Sequence, residues 1–267
     1  MGELICAVDI GNSNITVGIY KKNRKPQIIN SFRLSSDMMK TEDEYAVLIL
    51  DILKLFQIPK DDIEGFCISS VVPPLQGTFE NLVKKYFSHS KLVVVGPGVK
   101  TGIHVIYNPP TDVGADRVAN AVGAWEKYAK NMKPKKPIVV VDFGTAITFD
   151  CISQKGEYIG GAIFPGIYLA VESLFKKTAK LPSILVKKPD EVIGKSTSHS
   201  IQSGIVYGYA SMVDGMIEKI SQEMGNEVFS IATGGYSYLI ASLCKKISCV
   251  DETITLDGLF FIYMKNV

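Results

Sequence analysis

The sequence lacks the signatures of several common protein classes. It contains neither the GxxxxGK[ST] pattern of a P-loop nor the GxGxxG pattern of a dinucleotide-binding turn, so neither mode of nucleotide binding is supported. It has no uninterrupted apolar run of about 18 residues, and no basic segment followed by an apolar segment opens it. We therefore expect a protein that is neither secreted nor bound to a membrane.

The chain also lacks a large excess of positive or negative charge, and its cysteines and histidines lack the spacings of metal sites. The chain has 29 basic and 27 acidic residues, and its net charge of +2 is too small to predict nucleic-acid binding. The five cysteines show no CxxC spacing and lie mostly in apolar runs, which predicts reduced core thiols in a cytoplasmic protein rather than disulfides or zinc. The three histidines have no metal-ligand spacing.

What the sequence does contain is an internal repeat. Residues 5–19 read ICAVDIGNSNITVGI and residues 138–152 read IVVVDFGTAITFDCI, so a shared V-D-x-G falls at Asp9 and again at Asp142, about half the chain away. In each copy a buried-strand pattern runs into Asp-x-Gly and then into a second β-rich run, which predicts a tight β-hairpin. Two such matches in the same context indicate a duplication.

Helices follow each predicted hairpin. One begins at Thr41, where Glu44 completes a capping box, and a second is expected from Asp116 to Lys130. The chain of 267 residues, 46% hydrophobic and 21% charged, is long enough for two modest domains. We therefore expect an α/β fold of two duplicated lobes, 1–130 and 131–267, facing a ligand-binding cleft, with the boundary at the Lys/Pro-rich residues 131–137.

The first hairpin has the chemistry of a phosphate site. Gly11 lets the backbone approach a polyphosphate closely, because no Cβ intervenes. Asp9 would repel phosphate, so its useful role is to hold Mg²⁺ through water or another polar group. An Asp-x-Gly-Asn turn that binds no ligand is the alternative. Neutral donors that do not repel phosphate follow in the turn: Asn12, Ser13, Asn14 and Thr16.

The second half of the chain supplies the complementary groups. The Thr145 hydroxyl is placed to bind the opposite end of the phosphate chain, and Asp142 is a candidate cation ligand. Gly234 and Gly235 end a strand and would allow close backbone approach to a nucleotide. A Gly-Gly pair is also an ordinary turn, and the sequence leaves both interpretations open.

A Pro-broken loop, residues 107–117, leads into the helix that carries Asp116. One interpretation makes Asp116 an N-cap that stabilises the first helical turn. The other makes it a general base that accepts a hydroxyl proton during attack on a γ-phosphate, with Arg117 neutralising an anionic substrate group. The motif by itself does not decide between them.

Six segments together resemble the type III pantothenate kinase family: residues 9–14 (DIGNSN), 107–110 (YNPP), 114–117 (GADR), 142–146 (DFGTA), 160–166 (GGAIFPG) and 233–235 (TGG). The resemblance covers nearly the whole chain in the expected order. It implies actin-like, ribonuclease H-like lobes and ATP-dependent phosphorylation of pantothenate to 4′-phosphopantothenate, the first step of coenzyme A biosynthesis. It also implies a cytoplasmic bacterial homodimer that needs Mg²⁺ and a monovalent cation.

The resemblance also implies a role for each matching residue. Asp116 would be the proton acceptor, Asp142 would bind K⁺ or NH₄⁺, and Asp9 would hold Mg²⁺ indirectly. The residues implied to hold pantothenate are Tyr107, Gly114, Ala115, Asp116, Arg117 and Thr197. The residues implied or inferred to bind ATP are Asp9, Ile10, Gly11, Asn12, Ser13, Asn14, Ile15, Thr16, Thr145, Gly234 and Gly235. Two departures from the family pattern are Ser13, where Thr is more usual, and a longer segment at residues 131–136.

Two other functions fit the same motifs. The chain could be a non-catalytic regulator resembling the Bvg accessory factor proteins, although the intact Asp116 and Asp142 argue against this. It could also be an actin-like or chaperone-like ATPase, whose ATP hydrolysis would not respond to pantothenate.

Overall fold

The structure is a computed structural model that describes residues 3–130, 132–178, 181–182 and 184–267. The chain forms two compact units. The first comprises Met1–Glu126 together with Ile254–Val267, and the second comprises Lys127–Thr253. The chain therefore leaves the first unit once and returns to it at the end.

The first unit is built on a sheet whose strand order is β3-β2-β1-β4-β5. Its strands β1 and β2 form the predicted antiparallel hairpin, and β4 pairs with β1 in parallel. A further short strand, β6, follows later in this unit. The strands are β1 (Leu4–Ile10), β2 (Asn14–Lys21), β3 (Ile28–Ser35), β4 (Ile63–Ser70), β5 (Lys91–Val94) and β6 (His104–Val105).

Three helices follow within the same unit: α1 (Glu42–Leu55), α2 (Pro73–Tyr86) and α3 (Ala115–Ala124). The predicted capping box is present at α1, because the Thr41 hydroxyl accepts from the Glu44 N–H and the Glu44 carboxylate accepts from the Thr41 N–H. The α-helix at α3 does not run to Lys130, since it gives way to a π-helical turn at Trp125–Ala129. The apolar faces of α1 and α2 pack on the sheet and form a continuous core.

The second unit repeats this plan. Its own strands are ordered β9-β8-β7-β10-β11, with β7 and β8 antiparallel and β10 parallel to β7, which matches the order in the first unit. The predicted duplication is therefore confirmed in the topology. The elements are β7 (Ile138–Phe143), β8 (Ala146–Ile152), β9 (Glu157–Pro165), α4 (Ile167–Lys177), α5 (Thr197–Glu223), β10 (Phe229–Thr233), α6 (Ser237–Ala241) and β11 (Cys249–Val250).

The last helix, α7 (Ile254–Asn266), belongs to the first unit and not to the lobe 131–267 in which sequence reasoning placed it. Its buried Asp257 accepts a 2.7 Å hydrogen bond from the Tyr20 hydroxyl on β2. Thr255 donates to the Asn120 side chain on α3 at 2.6 Å. The unit boundary accordingly falls at residue 127, slightly before the Lys/Pro-rich segment. Within the described ranges, the structure has no helix long and apolar enough to cross a membrane.

Candidate functional site

The tip of the first hairpin presents polar groups to solvent. The Gly11 N–H donates to the Asn14 carbonyl at 3.0 Å and closes the turn, and the Ser36 hydroxyl donates to the Gly11 carbonyl at 2.5 Å. Asn12, Ser13 and Asn14 are exposed, as a phosphate-binding turn requires. Two residues of the predicted ATP set behave differently: Ile10 and Ile15 are fully buried in the core, so only their backbone groups are available to a ligand.

Asp9 is the second-last residue of β1, close to this tip. In the sheet it lies opposite Thr16 on β2 and beside Ser69 on β4, and its carboxylate accepts a 2.7 Å hydrogen bond from the Ser69 hydroxyl. Burial raises the pKa of Asp9 to about 7; the bond from Ser69 lowers it, and the charge of Asp116 raises it. Asp9 and Asp116 are therefore near enough for their charges to interact.

Asp116 lies in the first turn of α3. The N-cap of this helix is Gly114, which makes no side-chain cap bond, so the alternative role of Asp116 as N-cap is excluded. The Asp116 carboxylate accepts from the N–H of Arg117 at 2.8 Å, and burial raises its pKa. A Cβ on Gly114 would lie 2.5 Å from Oδ1 of Asp116, so a glycine is needed for the carboxylate to fold back over this turn.

The other predicted substrate residues of the first unit flank this carboxylate in sequence. Ala115 is the first residue of α3, and Arg117, with only 8% of its surface exposed, directs its charged group into a largely buried position. Tyr107 lies in the loop before the helix and is 37% exposed. A buried guanidinium next to a buried carboxylate can compensate an anionic substrate group that water reaches poorly.

In the second unit, the β7–β8 turn and the Gly-Gly turn lie against each other. Thr233 at the end of β10 is paired with Asp142 on β7. Gly234 has a φ of +88°, and a Cβ there would lie 2.5 Å from Oδ1 of Asp142. The backbone of Gly234 thus lies close to the Asp142 carboxylate and leaves no room for a ligand between the two. The space around Gly235 is open to 4 Å, so Gly235 is the position at which a ligand can approach the backbone.

Thr145 and Thr197 complete the predicted set. Thr145 is exposed at the tip of the β7–β8 turn, and its carbonyl accepts from the Gly166 N–H at 3.1 Å. This bond ties the tip to the start of α4. Thr197 is the exposed first residue of α5.

Sequence reasoning missed two serines that hold the first hairpin. Ser69 is fully buried at the end of β4 and bonds to Asp9, and Ser36 bonds to the turn at Gly11. The sequence does carry a signal for Ser69, because the polar pair Ser69-Ser70 ends an apolar strand. Nothing in the local sequence marks Ser36.

The chemistry of the first unit fits a divalent cation. The carboxylates of Asp9 and Asp116 repel each other when both are ionised. A cation held nearby would reduce that repulsion. No group of three or more His, Cys, Asp or Glu side chains able to hold a metal occurs among the residues described by the structure. A cation that takes few ligands from the protein and the rest from water and phosphate oxygens suits this arrangement.

A family model for type III pantothenate kinase matches residues 5–219 of the chain. The type III pantothenate kinase of Citrifermentans bemidjiense is 44% identical over 263 residues, which are 98% of this chain and 100% of that relative. The chain belongs to the type III pantothenate kinase family. It is therefore an enzyme of coenzyme A biosynthesis that phosphorylates pantothenate with ATP, and a divalent metal accompanies the ATP.

Solved structures agree on the fold at lower identity. A protein from Campylobacter jejuni assigned to the Baf family superposes with a TM-score of 0.59 at 19% identity, covering 98% of both chains. The inorganic polyphosphate/ATP-glucomannokinase from Arthrobacter sp. strain KM superposes with a TM-score of 0.53 at 14% identity, covering 99% of this chain and 100% of that one. The chain thus has the actin-like fold that the family resemblance implies.

Proposed function

We propose that Asp116 is the proton acceptor in phosphoryl transfer from ATP to pantothenate. The supporting observation is its position: the carboxylate lies in the same unit as the phosphate-binding hairpin and close enough for its charge to raise the pKa of Asp9. Burial raises the pKa of Asp116 as well, which strengthens it as a base. The N–H and the charge of Arg117 act in the opposite direction and lower this pKa, although burial has the larger effect.

The proposed reaction is a direct transfer of the γ-phosphoryl group from ATP to the pantothenate hydroxyl. The pantothenate hydroxyl oxygen forms a bond to the γ-phosphorus, and the bond from that phosphorus to the bridging oxygen breaks, so ADP leaves with the electron pair. The hydroxyl proton passes to Asp116. Arg117 compensates the carboxylate of pantothenate, and Tyr107, Gly114, Ala115 and Thr197 complete its contacts.

ATP is proposed to bind to the two hairpin turns. On the first, residues 9–16 would contact the phosphates through the exposed tip and through backbone groups. On the second unit, Thr145, Gly234 and Gly235 would contact the nucleotide, with Gly235 offering the open backbone position. Hydroxyl and N–H donors bind phosphate oxygens without the charge repulsion that a carboxylate would add.

Two cations are proposed. Mg²⁺ would be held near Asp9 through water, where it neutralises phosphate charge, and K⁺ or NH₄⁺ would be held at Asp142. The Asp9–Asp116 repulsion supports the first assignment. The tight packing of Gly234 on Asp142, which fixes that carboxylate at one place, supports the second.

The chain is further proposed to act as a cytoplasmic homodimer. Its cysteines are free thiols, as a reducing compartment would keep them. The apolar side chains of α5 do not supply the interface where they belong to the core of the second unit, as Val206 and Val213 do. Exposed apolar side chains elsewhere are better candidates, among them Ile163 at 64% and Tyr168 at 62% exposure. Sedimentation velocity should give twice the chain mass, and a monomer would contradict the proposal.

The catalytic assignment is tested by coupled ADP release in potassium buffer. Turnover should require pantothenate, and Asp116→Asn should lower kcat at least roughly 100-fold, because the amide cannot accept the proton. Asp51→Asn, an exposed carboxylate on α1, is the matched control and should retain full activity. ATP hydrolysis that ignores pantothenate would favour the ATPase alternative, and ATP binding without turnover would favour the regulator.

A further inference from the structure

The segment that leads to Thr197, residues 184–196, is called the strap here. It has no helix or strand, and it runs beside α5 before that helix begins. Two of its large apolar side chains, Leu185 at 78% and Ile193 at 80% exposure, project into solvent. Apolar contacts hold only the first part of the strap, where Ile184 and Val186 pack against the core of the second unit. Since Leu185 and Ile193 contribute no such burial, hydrogen bonds are needed to define the rest of its conformation.

Polar side chains of α5 hold the strap through its carbonyl groups. Near its start, the Gln202 amide donates to the Leu185 carbonyl at 2.8 Å. In the middle, the Tyr207 hydroxyl donates to the Pro189 carbonyl at 3.0 Å. Gln202 is 7% exposed, so leaving its amide without this partner would be costly.

The end of the strap is held more closely. The buried Ser203 hydroxyl donates to the Val192 carbonyl, and the Ser200 hydroxyl donates to the Gly194 carbonyl at 3.3 Å. A Cβ on Gly194 would lie 2.4 Å from the backbone nitrogen of Ser200. Only a glycine allows the strap to pass this close to the first turn of the helix.

Two residues further on, the Ser196 hydroxyl caps α5 by accepting from the His199 N–H at 3.3 Å. Two contacts thus span Thr197 in the sequence: the hydrogen bond between Ser200 and Gly194, and the cap between Ser196 and His199. Its own side chain is exposed, and its hydroxyl has no hydrogen-bond partner within the ranges that the structure describes. The backbone on both sides of Thr197 is held by these contacts, and its hydroxyl remains available to a ligand.

We propose that the strap is a positioning element for pantothenate, with Ser203 and Tyr207 as positioning residues that act through Thr197. The inference rests on the proposed role of Thr197 in holding pantothenate. The hydrogen bonds between α5 and the strap would then contribute to the affinity for pantothenate and not to the affinity for ATP. A loop held by individual hydrogen bonds can lose its alignment without the loss of the fold.

The test removes single atoms from the strap contacts and measures both substrates in the full-length enzyme. Tyr207→Phe should raise the KM for pantothenate roughly 3- to 10-fold, the range that one net hydrogen bond supports. The KM for ATP and the thermal midpoint should stay at wild-type values. Tyr86→Phe is the matched control, because the Tyr86 hydroxyl bonds to Asp43 on α1 at 2.7 Å and has no strap contact.

Three further variants test whether the effect comes from the strap contacts. Ser203→Ala should behave like Tyr207→Phe, whereas Ser203→Thr, which keeps the hydroxyl, should restore a low KM. Gly194→Ala should raise the pantothenate KM more than either, since its Cβ displaces the strap from Ser200. An equal rise in both KM values would indicate a merely structural role and would overturn the proposal.

Thr197→Val separates this inference from the function on which it rests. If Thr197→Val raises the pantothenate KM but Tyr207→Phe and Gly194→Ala do not, the substrate site stands and the strap proposal is wrong. If Thr197→Val has no effect, the assignment of Thr197 and the strap proposal fail together, while the Asp116 assay decides the catalytic proposal separately. Full support requires that Tyr207→Phe adds little in the Thr197→Val background.

Discussion

Replacing Asp9 by asparagine is expected to stabilise the metal-free protein while it impairs phosphoryl transfer. Asp9 is largely buried beside Ser69, and its pKa is raised to about 7 from an ordinary value of 3.8. The folded state therefore binds this proton more tightly than the unfolded state, so the wild-type protein loses stability as the pH rises from about 4 to about 7. Asparagine has the same shape, can still accept from Ser69, and carries no charge.

The difference between a pKa of 3.8 and one of about 7 would correspond to about 4 kcal/mol at full burial. Part of the Asp9 surface remains in contact with water, so we reduce this to roughly 2 kcal/mol at pH 8. For a protein of this length, that gain corresponds to a rise in thermal midpoint of roughly 5 °C. The gain should be less than half as large at pH 5. At that pH the carboxyl of folded wild-type protein is still largely neutral, and only the first part of the interval between the unfolded pKa of 3.8 and the folded pKa of about 7 has been crossed.

The assay is thermal unfolding in EDTA without nucleotide, at pH 5 and pH 8, with ADP release measured on the same samples after Mg²⁺ is restored. Asp51→Asn, at an exposed site, should leave the midpoint unchanged at both pH values. In an Asp116→Asn background the gain from Asp9→Asn should shrink, because the charge that helps to raise the pKa of Asp9 is gone. A loss of stability, or a gain independent of pH, would refute the reasoning.

Three further outcomes are expected. Replacing potassium by sodium should raise the KM for ATP if Asp142 holds the monovalent cation, and Asp142→Asn should abolish the difference between the salts; equal KM values in wild type would contradict the assignment. Gly234→Ala should raise the KM for ATP at least roughly 10-fold, because its Cβ would lie 2.5 Å from Oδ1 of Asp142 and its φ is +88°. Asp251→Ala should lower the free energy of unfolding by about 3 kcal/mol, measured by urea titration, since Asp251 accepts from Lys127 at 2.5 Å and from Tyr128 at 2.8 Å. Burial raises the pKa of Asp251, but these donors lower it overall, so its contribution should be lost as the pH falls through that lowered pKa and should be unchanged from pH 6 to pH 8.

Local sequence patterns were sufficient to predict the hairpins and the start of α1. The V-D-x-G repeat requires no distant contact to be recognised, and the Thr41–Glu44 capping box is complete within four residues. Both were found in the structure at the expected positions. The functional assignment followed from the same kind of short, ordered motifs.

Long-range contacts were not predictable in this way. The bond from Ser69 to Asp9 spans sixty positions of the chain, and the bond from Tyr20 to Asp257 joins the two ends of the sequence. No periodicity or spacing encodes such pairs, so the support beneath the site and the placement of α7 emerged only from the structure. The strap escaped notice for a related reason: its acceptors are backbone carbonyls, which every residue has.

The return of α7 to the first unit has a consequence for the order in which the chain can fold. The second unit is one continuous segment, Lys127–Thr253, whereas the first needs residues from both ends of the sequence. During synthesis, the surface of α3 and β1 that α7 will cover has no partner until the ribosome has made residues 254–266. The second unit can therefore be complete while the first, although begun earlier, still waits for its final helix. A truncation before Ile254 should destabilise the hairpin that carries Asp9, at the opposite end of the sequence.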